Sequence, residues 1–277
     1  ITNGVHPYTW TCPCFRKIYD QYMPGWANEP EKLVRVAVIP DEEIWEVHRG
    51  AKKTLIDLVN SQTGIGMDYD TLTLGFARRA TEYKRPTLIF SDLDRLRKVS
   101  RRGRIQIIMA GKAHPKDIPG KKEIMEIFGY ARALKDEIKV CYLSNYDMDL
   151  ASKMVSGVDV WLNTPLPPEE ASGTSGMKAS FNGVVNFSVL DGWWIEGWIE
   201  GVNGWSIGPE PDEQVSPEER RARELDDLYN KLEYVIIPLF YHRRDVWIGK
   251  MNGSIGMIAY YFNSHRMMRR YVTEAYL

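Results

Sequence analysis

Short apolar runs alternate with stretches of helical period between Thr71 and Leu190. Residues 71–77 (TLTLGFA), 104–110 (RIQIIMA), 139–143 (KVCYL), 158–163 (VDVWLN) and 184–189 (VVNFSV) read as strands. Runs this apolar have both faces buried, as in a parallel sheet covered by helices. Segments 86–99, 121–134 and 147–155 supply the intervening helical patterns. The alternation predicts a doubly wound α/β domain, which binds ligands at the carboxyl ends of its strands. Before it, residues 41–59 read as a helix ending near Gly64 and Gly66. After it, Ser216-Pro217-Glu218-Glu219 is a strong helix start: Ser216 can cap free amides, Pro217 suits the first turn and Glu219 can complete a capping box. Leu225, Leu228, Leu232, Val235 and Leu239 continue at helical spacing, and Pro238 and the Asn252-Gly253 pair are expected to break the helix. The chain thus divides into a Rossmann-like domain, 1–215, and a helical segment, 216–277, that packs back on it or on a further part of the protein.

Charge narrows the chemistry. With a net charge of -1, no global field favours nucleic acid or an anionic membrane, so any anion site must be a local arrangement. No apolar run approaches the roughly 18 residues that indicate a membrane span. Three cysteines argue against a disulfide framework and for a reducing, cytoplasmic compartment. Cys12-Pro13-Cys14 is half of a metal site at most; no second cysteine pair exists and the five histidines are scattered, so no metal is expected. The opening at Ile1, with no leader pattern, reads as the middle of a longer protein or a processed piece.

Two segments carry candidate chemistry. Glu169-Glu170-Ala171-Ser172-Gly173-Thr174-Ser175-Gly176-Met177-Lys178 follows the strand ending at Asn163 and opens a helix. Gly173 and Gly176 allow close backbone approach, and free amides at a helix start bind phosphate. A lysine beside such a cradle is the arrangement that pyridoxal phosphate needs. A tight turn with a surface lysine is the plain alternative. Arg78-Arg79-Ala80-Thr81-Glu82-Tyr83-Lys84-Arg85 follows the strand ending at Ala77. Four cations there read as a polyanion site or as a solvated basic turn.

Taken together, the segments resemble the α-glucan phosphorylase family in its short archaeal and bacterial type. The resemblance rests on Thr2-Asn3-Gly4-Val5-His6-Pro7 through Trp10, on 75–85, on Ser144-Asn145-Tyr146-Asp147, on Glu170 through Lys178 and on Asp191-Gly192-Trp193-Trp194-Ile195-Glu196-Gly197. It implies the second Rossmann-like domain of a two-domain glycosyltransferase fold, with the first domain absent. It implies pyridoxal 5'-phosphate as a Schiff base on Lys178, its phosphate held by Arg78 and the backbone of Gly173, Thr174 and Ser175, with Trp10 and Tyr146 against the ring. Long-type members carry lysine at the Arg78 position and arginine at Asp147. Arg79 and Lys84 would bind inorganic phosphate, Glu170 with Ser172 and Gly173 the glucosyl hydroxyls, and Asn3 the primary alcohol. The implied reaction is retaining phosphorolysis of α-1,4-glucan or maltodextrin to glucose 1-phosphate, with Lys178, Arg79 and Lys84 as the catalytic set. A nucleotide-sugar glycosyltransferase of the same fold without the cofactor, and a non-catalytic assembly or glucan-binding domain, are the alternatives. Trp193, Trp194, Trp198 and Trp205 are read as packing more than sugar stacking. The apolar run at 255–262 reads as exposed where the first domain is lacking, which predicts self-association or docking to that domain.

Overall fold

The computed structural model describes residues 1–277. Six strands form one sheet, all parallel: β1 Leu72–Ala77, β2 Ile105–Ala110, β3 Lys139–Leu143, β4 Val160–Asn163, β5 Val185–Val189 and β6 Gly204–Ile207. Their order is β3-β2-β1-β4-β5-β6. The chain moves outward from β1 to β3 and then crosses back to β4 on the other side of β1. The crevice where this direction reverses lies at the carboxyl ends of β1 and β4. Every position of β1, β2, β4, β5 and β6 is buried, as continuous apolar runs require. β6 was not among the expected strands, because four residues give too short a run to show a period.

The helices are α1 Pro7–Trp10, α2 Pro13–Tyr22, α3 Asp41–Thr63, α4 Leu93–Ser100, α5 Ile118–Leu134, α6 Met148–Gly157, α7 Ser175–Ser180, α8 Trp194–Gly197, α9 Pro217–Lys231, α10 Ile237–His242, α11 Arg244–Gly253 and α12 Ser264–Tyr271. The helix expected over 86–99 begins only at Leu93, where the Asp92 carboxylate accepts from Arg95 N; a separate 3₁₀ turn covers Leu88–Phe90. Ser216 caps α9 as expected, accepting from Glu219 N at 3.1 Å.

The tail departs from its expected breaks. A π-helical turn at Leu232–Ile236 joins α9 to α10 and absorbs Pro238, whose ring would otherwise disrupt a regular helix. The break falls at Arg243 instead. At Asn252-Gly253 the α-helical form of α11 ends, but the helical path does not break and continues as a second π-helical turn, Ser254–Ala259. Gly253 serves close approach: a Cβ there would lie 2.5 Å from the Val202 carbonyl oxygen. The run at 255–262 is not an exposed patch either. Ile255, Ile258, Ala259 and Phe262 are buried in the same core as the sheet, and so are Trp193, Trp194 and Trp205. Along 255–262 and 193–205, Met257, Ile195, Ile199 and Val202 keep exposed side chains.

Behind β4, Asp159 anchors the opposite end of the sheet. Its Oδ1 meets His48 Nε2 at 2.8 Å, and its Oδ2 accepts from Lys52 Nζ at 2.6 Å and Thr73 N at 2.7 Å. All three side chains of this group are buried. Burial pushes the Asp159 carboxyl up, but Lys52 and His48 more than offset it and hold the group below its usual range. A depressed folded-state value adds stability that is fully present above the unfolded carboxyl pKa of about 4 and is lost as pH falls from there through the lower folded-state value. Asp159→Ala strands Lys52 in the core and is expected to cost about 3–5 kcal/mol. Denaturant midpoints at neutral pH test this; a shift below about 1 kcal/mol, the scale of an exposed pair, would show that the group is not a buried anchor.

Candidate active site

The basic segment leaves β1 at the crevice. Arg78 N donates to the Ala110 carbonyl at 3.2 Å and prolongs the β1–β2 pairing by one step. The guanidinium then turns to Glu170: Arg78 Nη2 lies 2.5 Å from Oε2, and Lys84 Nζ bonds to the same oxygen. Lys84 is buried, with its amine 4.4 Å from the centre of the Tyr83 ring. Arg78 Nη1 is buried and has no acceptor. Glu170 is itself held from behind, since its amide donates to Asp191 Oδ2 at 2.9 Å while Asp191 Oδ1 accepts from Gly192 N. Burial pushes the Asp191 carboxyl up against those two hydrogen bonds. Arg85 does not join the cluster. Its backbone turns left-handed (φ 44°), and its guanidinium forks onto Glu224 of α9 at 2.6 and 3.1 Å. It also donates to the Thr164 and Pro165 carbonyls, so it fastens α9 to the sheet. Arg79 is exposed and makes no ion pair.

The second segment runs from the end of β4 into α7. Gly173 takes φ +74°, where other residues are strained, and a Cβ at Gly176 would lie 2.2 Å from Asn186 Oδ1. The amides of Gly173, Thr174 and Ser175 donate to nothing within the chain. The side chain of Lys178, in α7, makes neither a hydrogen bond nor an ion pair; its Nζ stands 3.8 Å from the centre of the Trp10 ring. Burial alone depresses the Lys178 amine, which favours the neutral, nucleophilic form. Trp10 is fixed by Asn182, whose Nδ2 donates to the carbonyls of Trp10 at 2.8 Å and Lys178 at 3.1 Å. After β3, burial pushes the Tyr146 hydroxyl up to about 12, partly opposed by the charge of Arg78. Asp147 caps α6, accepting from Leu150 N at 2.8 Å. At the other side of the loop, Asn3 Nδ2 donates to Ser172 Oγ at 3.0 Å. Both line a cleft of about 370 Å³ with Gly192, Trp193 and Glu196.

A sequence profile of the carbohydrate phosphorylase family matches residues 1–204. The chain belongs to that family. It is 44% identical to a glycogen phosphorylase of Aquifex aeolicus, 45% to a maltodextrin phosphorylase of Thermococcus litoralis and 34% to a glycogen phosphorylase of Mycobacterium tuberculosis. Each match covers 100% of this chain but 43%, 35% and 35% of the respective relative, so the chain spans well under half of their length. Phosphorylases of this family depend on pyridoxal phosphate. The residues here fit that group: an unpaired amine of depressed basicity on an indole face, a buried guanidinium nitrogen lacking an acceptor, and a glycine-shaped loop with free amides.

Most of the sequence-derived phosphorylase residues converge. Arg78, Glu170, Ser172, Gly173 and Ser175 line one small cavity, with Lys84 reaching it through Glu170 and Asn3 through Ser172. Lys178 and Trp10 pair with each other, Lys178 on the helix that the 173–175 loop opens. Three members stand outside this network of contacts: Arg79 is exposed, Tyr146 meets it only through the charge of Arg78, and Thr174 enters only as the residue before α7. Two supporting residues carried no individual signal in the sequence. Asp191 lies in a run noted only for its resemblance, and Asn182 shows its part only once Trp10, some 170 residues earlier, is folded against it.

Proposed function

We propose that the chain is the phosphate-handling portion of an α-glucan phosphorylase, cleaving terminal α-1,4-linked glucose with retention to give glucose 1-phosphate. The observations that carry this are the unpaired Lys178 side-chain amine, the buried Arg78 nitrogen without an acceptor, and the free amides of 173–175, which open the helix that bears Lys178. Pyridoxal phosphate, when bound, supplies a phosphate group able to hold and return a proton. Lys178 holds it covalently; Arg78 and the amides of Gly173, Thr174 and Ser175 hold its phosphate, with Trp10 and Tyr146 flanking the ring. Arg79 and Lys84 hold the inorganic phosphate. Two phosphates close together repel, and cations between them offset that cost. Arg78 and Lys84 already stand close enough to share one carboxylate oxygen. Glu170, with Ser172, Gly173 and Asn3, orients the glucosyl hydroxyls. The glycosidic C–O bond breaks, a bond forms from the anomeric carbon to a phosphate oxygen, and the departing glucan oxygen takes the proton. The rest of the cleft belongs to the part of the protein beyond the match, and the whole is read as cytoplasmic.

A nucleotide-sugar glycosyltransferase of the same fold has no use for the Lys178 amine, which weighs against that reading. The test is phosphorolysis by the full-length protein. Incubation with maltodextrin is expected to yield α-glucose 1-phosphate in proportion to added phosphate. Product formed only from a nucleotide sugar, or none with cofactor bound, overturns the assignment.

A further inference from the structure

The Cys12-Pro13-Cys14 segment has no part in the chemistry above, yet its two sulfurs lie 3.0 Å apart. No histidine or carboxylate joins them to make a metal site. Cys12 is buried and Cys14 half-buried, so a soluble oxidant meets Cys14 first. Cys14 sits in the first turn of α2. A hydrogen bond from Cys12, together with the Phe15 and Cys14 amides, lowers the Cys14 thiol to about 7, while Cys12 is pushed well up as the proton-bearing partner. One thiolate with a protonated neighbour in contact is the starting arrangement for disulfide exchange.

The pair is wired to the lysine pocket. Trp10 precedes Cys12 by two residues, and one side chain ties them to α7. Asn182 Oδ1 accepts from Cys12 N at 2.8 Å, while its Nδ2 donates to the Trp10 and Lys178 carbonyls. A disulfide bond is about 2.05 Å long, so closure must bring the sulfurs about 1 Å nearer. Cys14 is fixed in α2, whose Phe15, Ile18 and Tyr19 are buried. The shift therefore falls on Cys12, whose amide is tied through Asn182 to the Trp10 carbonyl, so that it is passed on to Trp10.

We propose that Cys12 and Cys14 are a redox-active dithiol whose closure displaces Trp10 from Lys178 and weakens cofactor retention. The oxidant is a small-molecule disulfide such as oxidised glutathione. Cys14 thiolate attacks one of its sulfurs and expels a thiolate; Cys12 then gives up its proton, attacks Cys14 Sγ and expels the second. Two protein thiols and one disulfide become one protein disulfide and two small thiols. The consequence for the cofactor rests on the reading of Lys178 given above, whereas the dithiol itself does not.

The full-length protein is equilibrated in glutathione buffers from reducing to oxidising, alkylated, and digested. Mass analysis of the peptide ending at Arg16 reads the disulfide, and borohydride trapping reads cofactor on Lys178. The expected result is a disulfide within that peptide and severalfold less trapped cofactor in the oxidised protein. Cys12→Ser and Cys14→Ser should keep full trapping under both conditions; serine suits the N-cap place that Cys12 holds, so this variant should fold. Two alkylated cysteines at the oxidising limit, or a closed disulfide with trapping unchanged, overturn the proposal. Absence of cofactor from Lys178 even in the reduced protein overturns the cofactor reading, and the alkylation pattern then judges the dithiol by itself.

Discussion

Lys178→Ala is expected to abolish covalent attachment of pyridoxal phosphate while leaving the fold intact. The side chain makes no hydrogen bond or ion pair, so its removal strands no buried partner. What the fold loses is the contact with Trp10, on the order of 0.5–1 kcal/mol for such a cation–ring pair, while alanine favours the helix slightly. The chemistry loses everything, because no other amine combines depressed basicity with the 173–175 loop. Borohydride reduction followed by mass analysis reads the outcome directly. Cofactor mass on another lysine, or on none in a saturated wild-type sample, would remove the basis for the assignment.

Lys84→Ala should lower turnover of the full-length protein by about 10²–10³, the scale of losing one preorganised charge at a developing anion. The folded state should tolerate the change better than the reaction does, because Glu170 keeps Arg78 at 2.5 Å and its amide stays fixed by Asp191. Initial rates at varied phosphate, alongside thermal melts, separate the two. A rate loss with weaker phosphate dependence and a melting temperature shifted by only a few degrees supports a substrate role. Unchanged kinetics would make Lys84 a structural partner of Glu170 and nothing more.

Arg85 makes the limits of sequence reading plain. It stands next to Lys84 in the same basic run, and nothing local separates the two. The separation comes from Glu224, 139 residues away, whose buried carboxylate claims the Arg85 guanidinium. Pro238 and the 255–262 run show the same limit: a π-helical turn and a shared core decide them, and neither leaves a mark within a few residues. By contrast, five of the six strands, the Ser216 cap and the turn from β4 into α7 were legible in advance. Periodicity, capping and glycine placement are short-range properties, set by sterics and hydrogen bonds inside one turn or one strand. They told where the glycine-bearing turn into α7 and Lys178 would fall. Which cations face that loop, which acid holds Glu170 in place, and that Asn182 links Cys12, Trp10 and Lys178 are long-range facts. Only the packed chain, which brings distant carboxylates and amides within hydrogen-bond reach, could decide them.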